Sequence, residues 1–290
     1  MKGMKSHDCA AWSIGLAALL VCSVGTCQEQ QETQSATDQT TIIVHGSSNV
    51  YPLVVAWAPG FSATFPAYQL DVLDTGTGEG IEDLLAGRAD VAMASRPMTT
   101  EEVSIARSRD LEIRETVVAR MGIAVIVNTS NPVSEMSFGQ LAAVFSGDAP
   151  SWREFGGPDE PIVVVRKVSG WSPDLFRREI LGDREFTADA VIAESKEDVV
   201  AEVDARPWSI GFTGLEEALP KIGRVSLLRL TNDLSEDDAT FALSRPLYLY
   251  TVADSPSARP LVEYALGAEA QRRIVEIGVY PVSETDGTEP

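Results

Sequence analysis

The chain has 290 residues, room for one large domain or two ordinary ones, and its 44% apolar share predicts a packed core rather than disorder. Asp plus Glu number 43 against 23 Lys plus Arg, a formal charge of -20. No Lys/Arg cluster stands out, which excludes nucleic acid as a partner, because phosphate backbones are bound by clustered cations. The 3 cysteines (Cys9, Cys22, Cys27) all precede the folded part, so no disulfide framework or cysteine metal site is expected after them.

At the start, Lys2 and Lys5 precede an uncharged apolar run, Ala10 to Val24, too short to cross a bilayer comfortably. Small residues follow, so residues 1–27 read as an export signal and the expected location is the periplasm or cell surface. Cys27 has two readings, the lipid-modified first residue of a lipoprotein or part of a plainly cleaved signal; Val24-Gly25-Thr26 is a poor lipoprotein box. Residues 28–40 are Gln-, Glu-, Thr- and Ser-rich, a polar tether that buries no core.

From there short β-branched runs alternate with amphipathic stretches, the signature of α/β units. Strands are expected at Thr41–Val44, Gln69–Leu73 and Asp90–Ala94, with helices at Tyr51–Phe65 and Ile81–Ala86 between them. Val117–Val127 is a long apolar run, interrupted by Gly122, that reads as a crossing between two domains. Beyond it come a helix at Ser137–Phe145, a strand at Ile162–Val165, a helix at Pro173–Ile180, a helix at Glu197–Asp204 and a strand at Ile210–Phe212. The tail carries a strand at Pro246–Thr251 and one helix over Ser257–Ile277. No internal repeat is visible.

Three Gly- or Ser-bearing turns lie between a predicted strand and a predicted helix: Gly46-Ser47-Ser48-Asn49, Thr75-Gly76-Thr77-Gly78-Glu79-Gly80 and Ser169-Gly170-Trp171-Ser172. A helix's first turn has unpaired N–H groups and a partial positive charge, and small residues let an anion approach them. Arg96 and Arg166 each follow a predicted strand, and a guanidinium fork suits a tetrahedral oxyanion. The alternative for Ser48, Thr77 and Ser169 is ordinary helix capping, and for Arg96 an ion pair. The glycines do not fit a nucleotide fingerprint.

The order of short motifs strongly resembles the phosphate-binding proteins of bacterial phosphate ABC transporters, over about Thr41 to Ser283. Gly46-Ser47-Ser48-Asn49-Val50-Tyr51-Pro52 is similar to the family's first ligand loop, and Gly76-Thr77-Gly78-Glu79-Gly80-Ile81 to its second. Ala89-Asp90-Val91-Ala92-Met93-Ala94-Ser95-Arg96-Pro97-Met98 is close to A-D-I-A-x-A-S-R-x-M. Gly122 to Asn128, Leu141 to Gly157, Ile210-Gly211-Phe212, Ser244-Arg245-Pro246-Leu247-Tyr248 and Gly278-Val279-Tyr280-Pro281 match later signatures.

The resemblance implies an α/β, two-lobed type 2 periplasmic binding protein fold with a hinge and an interdomain ligand cleft. Lobe I would comprise residues 41–120 and 222–285, lobe II residues 121–221, with 286–290 a tail. It implies capture of inorganic phosphate or a similar oxyanion for the membrane permease of an ABC transporter, by a monomer without cofactor or metal. Ser48, Asn49, Thr77, Gly78 and Arg96 would bind from lobe I, and Arg166, Ser169 and Gly170 from lobe II. Ser47, Glu79, Ser95 and Trp171 are secondary candidates, while Gly122, Trp152 and Tyr280 read as structural.

The third loop departs from the family pattern R-x-x-G-S-G-T: Arg166-Lys167-Val168-Ser169-Gly170-Trp171 is one residue short and puts Trp where a Thr hydroxyl would bind. Glu79 reads as a favourable first-turn acid, or as an acceptor for the proton of hydrogen phosphate. The alternatives are a binding protein for another oxyanion, or a degenerate cell-surface interaction domain. An enzyme is not expected: His45 is the one histidine beyond the signal, which removes Cys–His pairs and His-rich metal sites.

Overall fold

The computed structural model describes residues 39–231 and 243–282. The expected export signal, Cys27, nearly all of the tether and the 286–290 tail lie outside these described residues. Among the described residues, no helix is long and apolar enough to cross a membrane.

The predicted strand–helix alternation is present. β1 (Thr40–Gly46), α1 (Tyr51–Thr64), β2 (Tyr68–Asp74), α2 (Thr77–Leu85) and β3 (Val91–Ala94) come first, with β1 parallel to both β2 and β3. Period-2 alternation turns Ile42 and Val44 of β1 into the core, whereas β3 is buried at every position because both faces are covered. α3 (Thr100–Ser108) leads to β4 (Ile113–Asn128), and then come β5 (Glu135–Ser137), α4 (Phe138–Ser146), β6 (Val163–Lys167) and α5 (Trp171–Phe176), which runs into a π-helical turn at Arg177–Leu181. β7 (Val191–Ala193), α6 (Lys196–Ala205), β8 (Ser209–Gly214), α7 (Leu215–Ala218), β9 (Val225–Leu227) and β10 (Arg229–Thr231) complete the middle. β11 (Ser244–Val252), α8 (Arg259–Leu266) and α9 (Ala268–Glu276) end it.

The main sheet runs β2-β1-β3-β11-β4-β8-β6-β7, with β9 also on β4. The long strand β4 organises it. Residues 113–122 pair antiparallel with β11, and from Ile123 the same strand pairs with β8. Gly122 marks this handover, because a Cβ there would lie 2.2 Å from the Tyr280 ring packed on the strand. Buried side chains gather on either side. Trp57, Phe61, Leu249 and Leu261 belong to one cluster, and Phe145, Trp152, Phe176 and Phe212 to another. In the second, the Phe176 and Phe212 rings stack 4.1 Å apart at 5°, and Trp152 donates Nε1–H to the Trp208 carbonyl at 2.7 Å.

Several elements differ from expectation. α2 starts at Thr77 rather than Ile81, because tertiary contact with β1 carries a first turn whose glycines are poor helix formers. α3 was not expected; only Ala106 of it is buried, so it has almost no apolar periodicity. The single helix predicted over Ser257–Ile277 is α8 and α9, broken where Gly267 turns extended at φ -72, ψ 151. β6 extends to Lys167, which puts Arg166 inside the strand, and α5 begins at Trp171.

Candidate functional site

The ends of β1 and β3 and the start of α2 form one polar cluster. Gly46 leaves β1 at φ 139, and a Cβ there would sit 2.1 Å from the Met93 carbonyl oxygen, so glycine is required. A Cβ on Gly80 would likewise lie 2.5 Å from Gly46 Cα. This pair of glycines lets α2 rest directly on the first turn. Buried Ser47 donates its N–H to Met93 O at 2.9 Å and accepts from Asn49 N at 3.2 Å. The Ser95 N–H donates to Thr77 Oγ1 at 3.2 Å. Longer contacts join Ser95 Oγ to Thr77 Oγ1 (3.4 Å) and to Asn49 Nδ2 (3.5 Å). The Arg96 guanidinium lies beside Gly78: a Cβ there would be 3.7 Å from Nη2.

The helices differ in how their first turns are capped, and α7, α8 and α9 have no side-chain cap. α3, α4 and α6 carry full capping boxes, from Thr99 with Glu102, Ser137 with Gln140 and Ser195 with Asp198. α1, α2 and α5 begin after Val50, Gly76 and Gly170, and none of these supplies a capping side chain. An N-cap side chain stabilises a helix by about 1 kcal/mol. The three helices that follow the sequence-predicted turns forgo it; in α1 the Tyr51 and Leu53 N–H groups turn back to the Ser47 and Val50 carbonyls, whereas α2 and α5 keep first-turn N–H groups for another acceptor.

Opposite the polar cluster, Gly170 and Trp171 open α5, and β11 contributes Arg245. Ser95, Arg96, Gly170, Trp171, Arg178 and Arg245 line one cavity of about 570 Å³, within the usual range of ligand pockets, roughly 300–1,000 Å³. Trp171 packs against both hydrophobic clusters, so it sits on the seam between them.

The cations are not equivalent. Arg96 makes a two-pronged pair with Glu102, Nη1–Oε2 and Nη2–Oε1 both 2.8 Å, and Glu102 also accepts from Thr99 N at 2.7 Å. The Arg96 hydrogen bonds hold the Glu102 carboxyl below its ordinary value and raise the guanidinium in turn. Arg178 pairs with Glu179 at 2.6 Å. Arg166 lies over the Phe186 ring, 4.5 Å from its centroid, and is lowered by burial and by the like charge of Arg177. Arg245 stacks on Trp171 at 4.5 Å, and burial pushes it down to about 10.

The profile of the PBP superfamily domain matches residues 31–269. The chain belongs to the PBP superfamily. It is 28% identical over 241 residues to the phosphate-binding protein PstS of Staphylococcus haemolyticus, covering 76% of this chain and 75% of that one. It is 27% identical over 269 residues to the protein SphX of Synechococcus elongatus, covering 86% and 80%. Among solved structures, PstS from Borrelia burgdorferi superposes with a TM-score of 0.63 at 20% identity, over 84% of this chain and 100% of that chain. The mixed α/β architecture with its curled sheet is that of periplasmic binding proteins.

In this PBP superfamily chain the sequence-predicted residues divide. Ser47, Asn49, Thr77, Gly78, Ser95 and Arg96 come together, and Gly170 and Trp171 share the cavity with the last two. Ser48, Glu79 and Ser169 are exposed, and Arg166 lies outside the cavity lining, over Phe186. The capping alternative fails for Ser48, Thr77 and Ser169, since other residues hold those N-cap positions. The ion-pair alternative for Arg96 is what Glu102 provides. Arg245 and Glu102 were missed. The Thr99…Glu102 spacing was a readable capping box, whereas Arg245 was visible only as one residue of a matched segment.

Proposed function

We propose that this chain is an extracytoplasmic solute-binding protein that captures phosphate for the permease of an ABC transporter. One observation carries the reading: Ser47, Asn49, Thr77 and Ser95 converge at the side-chain-uncapped starts of α1 and α2, and Ser95 and Arg96 carry that polar cluster to the edge of a cavity also lined by Gly170, Arg178 and Arg245. Such a site replaces the hydration shell of an oxyanion by fixed hydroxyl and N–H dipoles together with guanidinium donors. That the relatives PstS and SphX are so close in extent supports it, PstS being named for phosphate binding.

In this reading α1–α3, α8 and α9 form one lobe with β1–β3 and β11, and α4–α7 form the other with β6–β8. Val225, Leu228 and Leu243 pack with the middle segment, so the chain returns to the first lobe at Ser244. The lobes close about β4 near Gly122, as hinged binding proteins do. Export through residues 1–27 and anchoring at Cys27 complete the scheme. Trp171 in the cavity favours one second reading, a different oxyanion, because its indole brings no hydroxyl.

Calorimetric titration of ligand-stripped protein with phosphate, sulfate and molybdate tests this. Tight binding of phosphate with weak binding of the others is expected. Preference for sulfate or molybdate selects the second reading, and absence of binding by all three overturns both.

A further inference from the structure

The residue that replaces the expected threonine has a partner on another strand. Arg245 lies opposite Met121 in the β11–β4 register, one position before the Ser244–Gly122 pair at which β4 passes to β8. Its guanidinium is stacked on the Trp171 ring, with Cζ 4.5 Å from the centroid. Stacking engages the π-face and leaves the in-plane N–H donors at the edge free to point elsewhere. They meet little: Nη2 has the Met121 sulfur at 4.0 Å, and buried Nε has no hydrogen-bond partner. Among the described residues no carboxylate pairs with Arg245. Glu216, whose charge reaches it, is engaged by Lys196 at 3.4 Å. Both Arg245 and Trp171 line the cavity that holds Ser95 and Arg96.

We infer that Arg245 is a direct oxyanion ligand of this cavity, its fork aimed by the Trp171 indole, and that this pair stands in for the missing third-loop hydroxyl. The inference rests on the oxyanion reading above. A partly buried guanidinium with an unpartnered Nε and no carboxylate is costly for the empty protein, and a bound oxyanion lowers that cost. The charge balance agrees. Among the charged residues lining the cavity, Arg96 is paired with Glu102 and Arg178 with Glu179, and Asp174 carries a negative charge, so Arg245 is the lining cation without a carboxylate partner. Trp171 acts as a positioning residue, and because it packs on both clusters it holds the fork on the seam that closure must cross.

The test is phosphate titration of the full chain and of Arg245→Met, Arg245→Lys and Trp171→Phe, followed by calorimetry and by tryptophan fluorescence. Arg245→Met should lose at least about tenfold in phosphate affinity while the ligand-free protein melts at or above the wild-type temperature. A purely structural arginine would instead lower that melting temperature. Arg245→Lys keeps the charge without the fork and should also bind more weakly, which covers the case of a Met variant that fails to fold. Trp171→Phe keeps a stacking ring and should keep affinity but lose the phosphate-induced emission change. Wild-type affinity in either Arg245 variant overturns the inference alone. A wild-type protein that binds none of phosphate, sulfate and molybdate overturns the oxyanion reading and this inference with it.

Discussion

Gly80 offers the sharpest test of how the site is assembled. A Cβ there would lie 2.5 Å from Gly46 Cα, 2.7 Å from the His45 carbonyl oxygen and 2.9 Å from Gly46 N. All three are backbone atoms of β1, so no side-chain rotation relieves the clash. Carbon contacts are comfortable at about 3.5–4.0 Å, and Gly80→Ala must therefore push α2 back by about 1 Å. Overpacking of this kind costs about 1–3 kcal/mol, against which alanine regains up to about 1 kcal/mol of helix propensity. A net loss of about 1 kcal/mol lowers the melting temperature by about 2–4 °C in a chain of this size.

The same retreat separates Thr77 from Ser95, whose 3.2 Å hydrogen bond is already near the outer limit. Phosphate affinity should fall by about two- to tenfold for each neutral hydrogen bond lost. Gly139→Ala is the control. It makes the same exchange in α4, but its Cβ would meet nothing closer than Ser137 Oγ at 3.9 Å. That variant should gain up to about 1 kcal/mol and bind phosphate normally. Differential scanning calorimetry and titration of both variants decide the matter. A Gly80→Ala protein as stable as Gly139→Ala, with unchanged affinity, would refute the argument that glycine contact sets the position of α2.

Asp83 is held below the ordinary carboxylate range by hydrogen bonds from His45, at 2.6 Å, and from Arg88. A depressed carboxyl contributes stability that is present above its unfolded value, about 3.9, and lost as the pH falls through the lower folded value. Asp83→Asn should therefore be less stable than wild type at pH 7, the gap narrowing below about pH 4 in acid-unfolding curves; a pH-independent gap would refute this. Glu102→Gln keeps the cap geometry but takes the carboxylate from Arg96, so phosphate should bind a few-fold more tightly by calorimetry; weaker binding would mean that the carboxylate serves to orient the guanidinium. With a formal charge of -20, long-range repulsion slows capture of an anion, so stopped-flow association should speed up with added salt. Slowing would contradict that.

The strands and helices of the first half were legible because β-branched runs such as Thr41–Val44 alternate with glycine turns, and the apolar run Val117–Val127 announced the long strand β4. Boundaries were less so where tertiary contact overrides propensity. α2 begins a turn early, at Thr77, because Gly46 and Gly80 pack backbone on backbone, a contact that local pattern does not encode. α3 was invisible to periodicity, since it buries little beyond Ala106, yet its Thr99…Glu102 box was there to be read. Gly267 in the last predicted helix was the usual mark of a break.

For the candidate site, the legible part is the one built from local turns. Ser47, Asn49, Thr77 and Ser95 sit close to elements whose ends the sequence announces. Arg245 is different in kind, because its environment consists of Trp171 from α5 and Met121 from β4, brought together only by the fold. Capping supplies a sequence-level rule that the turns alone lacked. A serine before a helix is usually spent on that helix, as Ser137 and Ser195 are. Ser48 stands two residues and Ser169 one residue too early, and Val50, Gly76 and Gly170 take the cap positions instead. A helix start that could have been closed by its own side chain and is not keeps its dipole and first-turn N–H groups for something outside the chain. Three further helices, α7, α8 and α9, also start without a side-chain cap, so the missing cap points to a site only where it coincides with a turn that spacing singled out, as at α2 and α5.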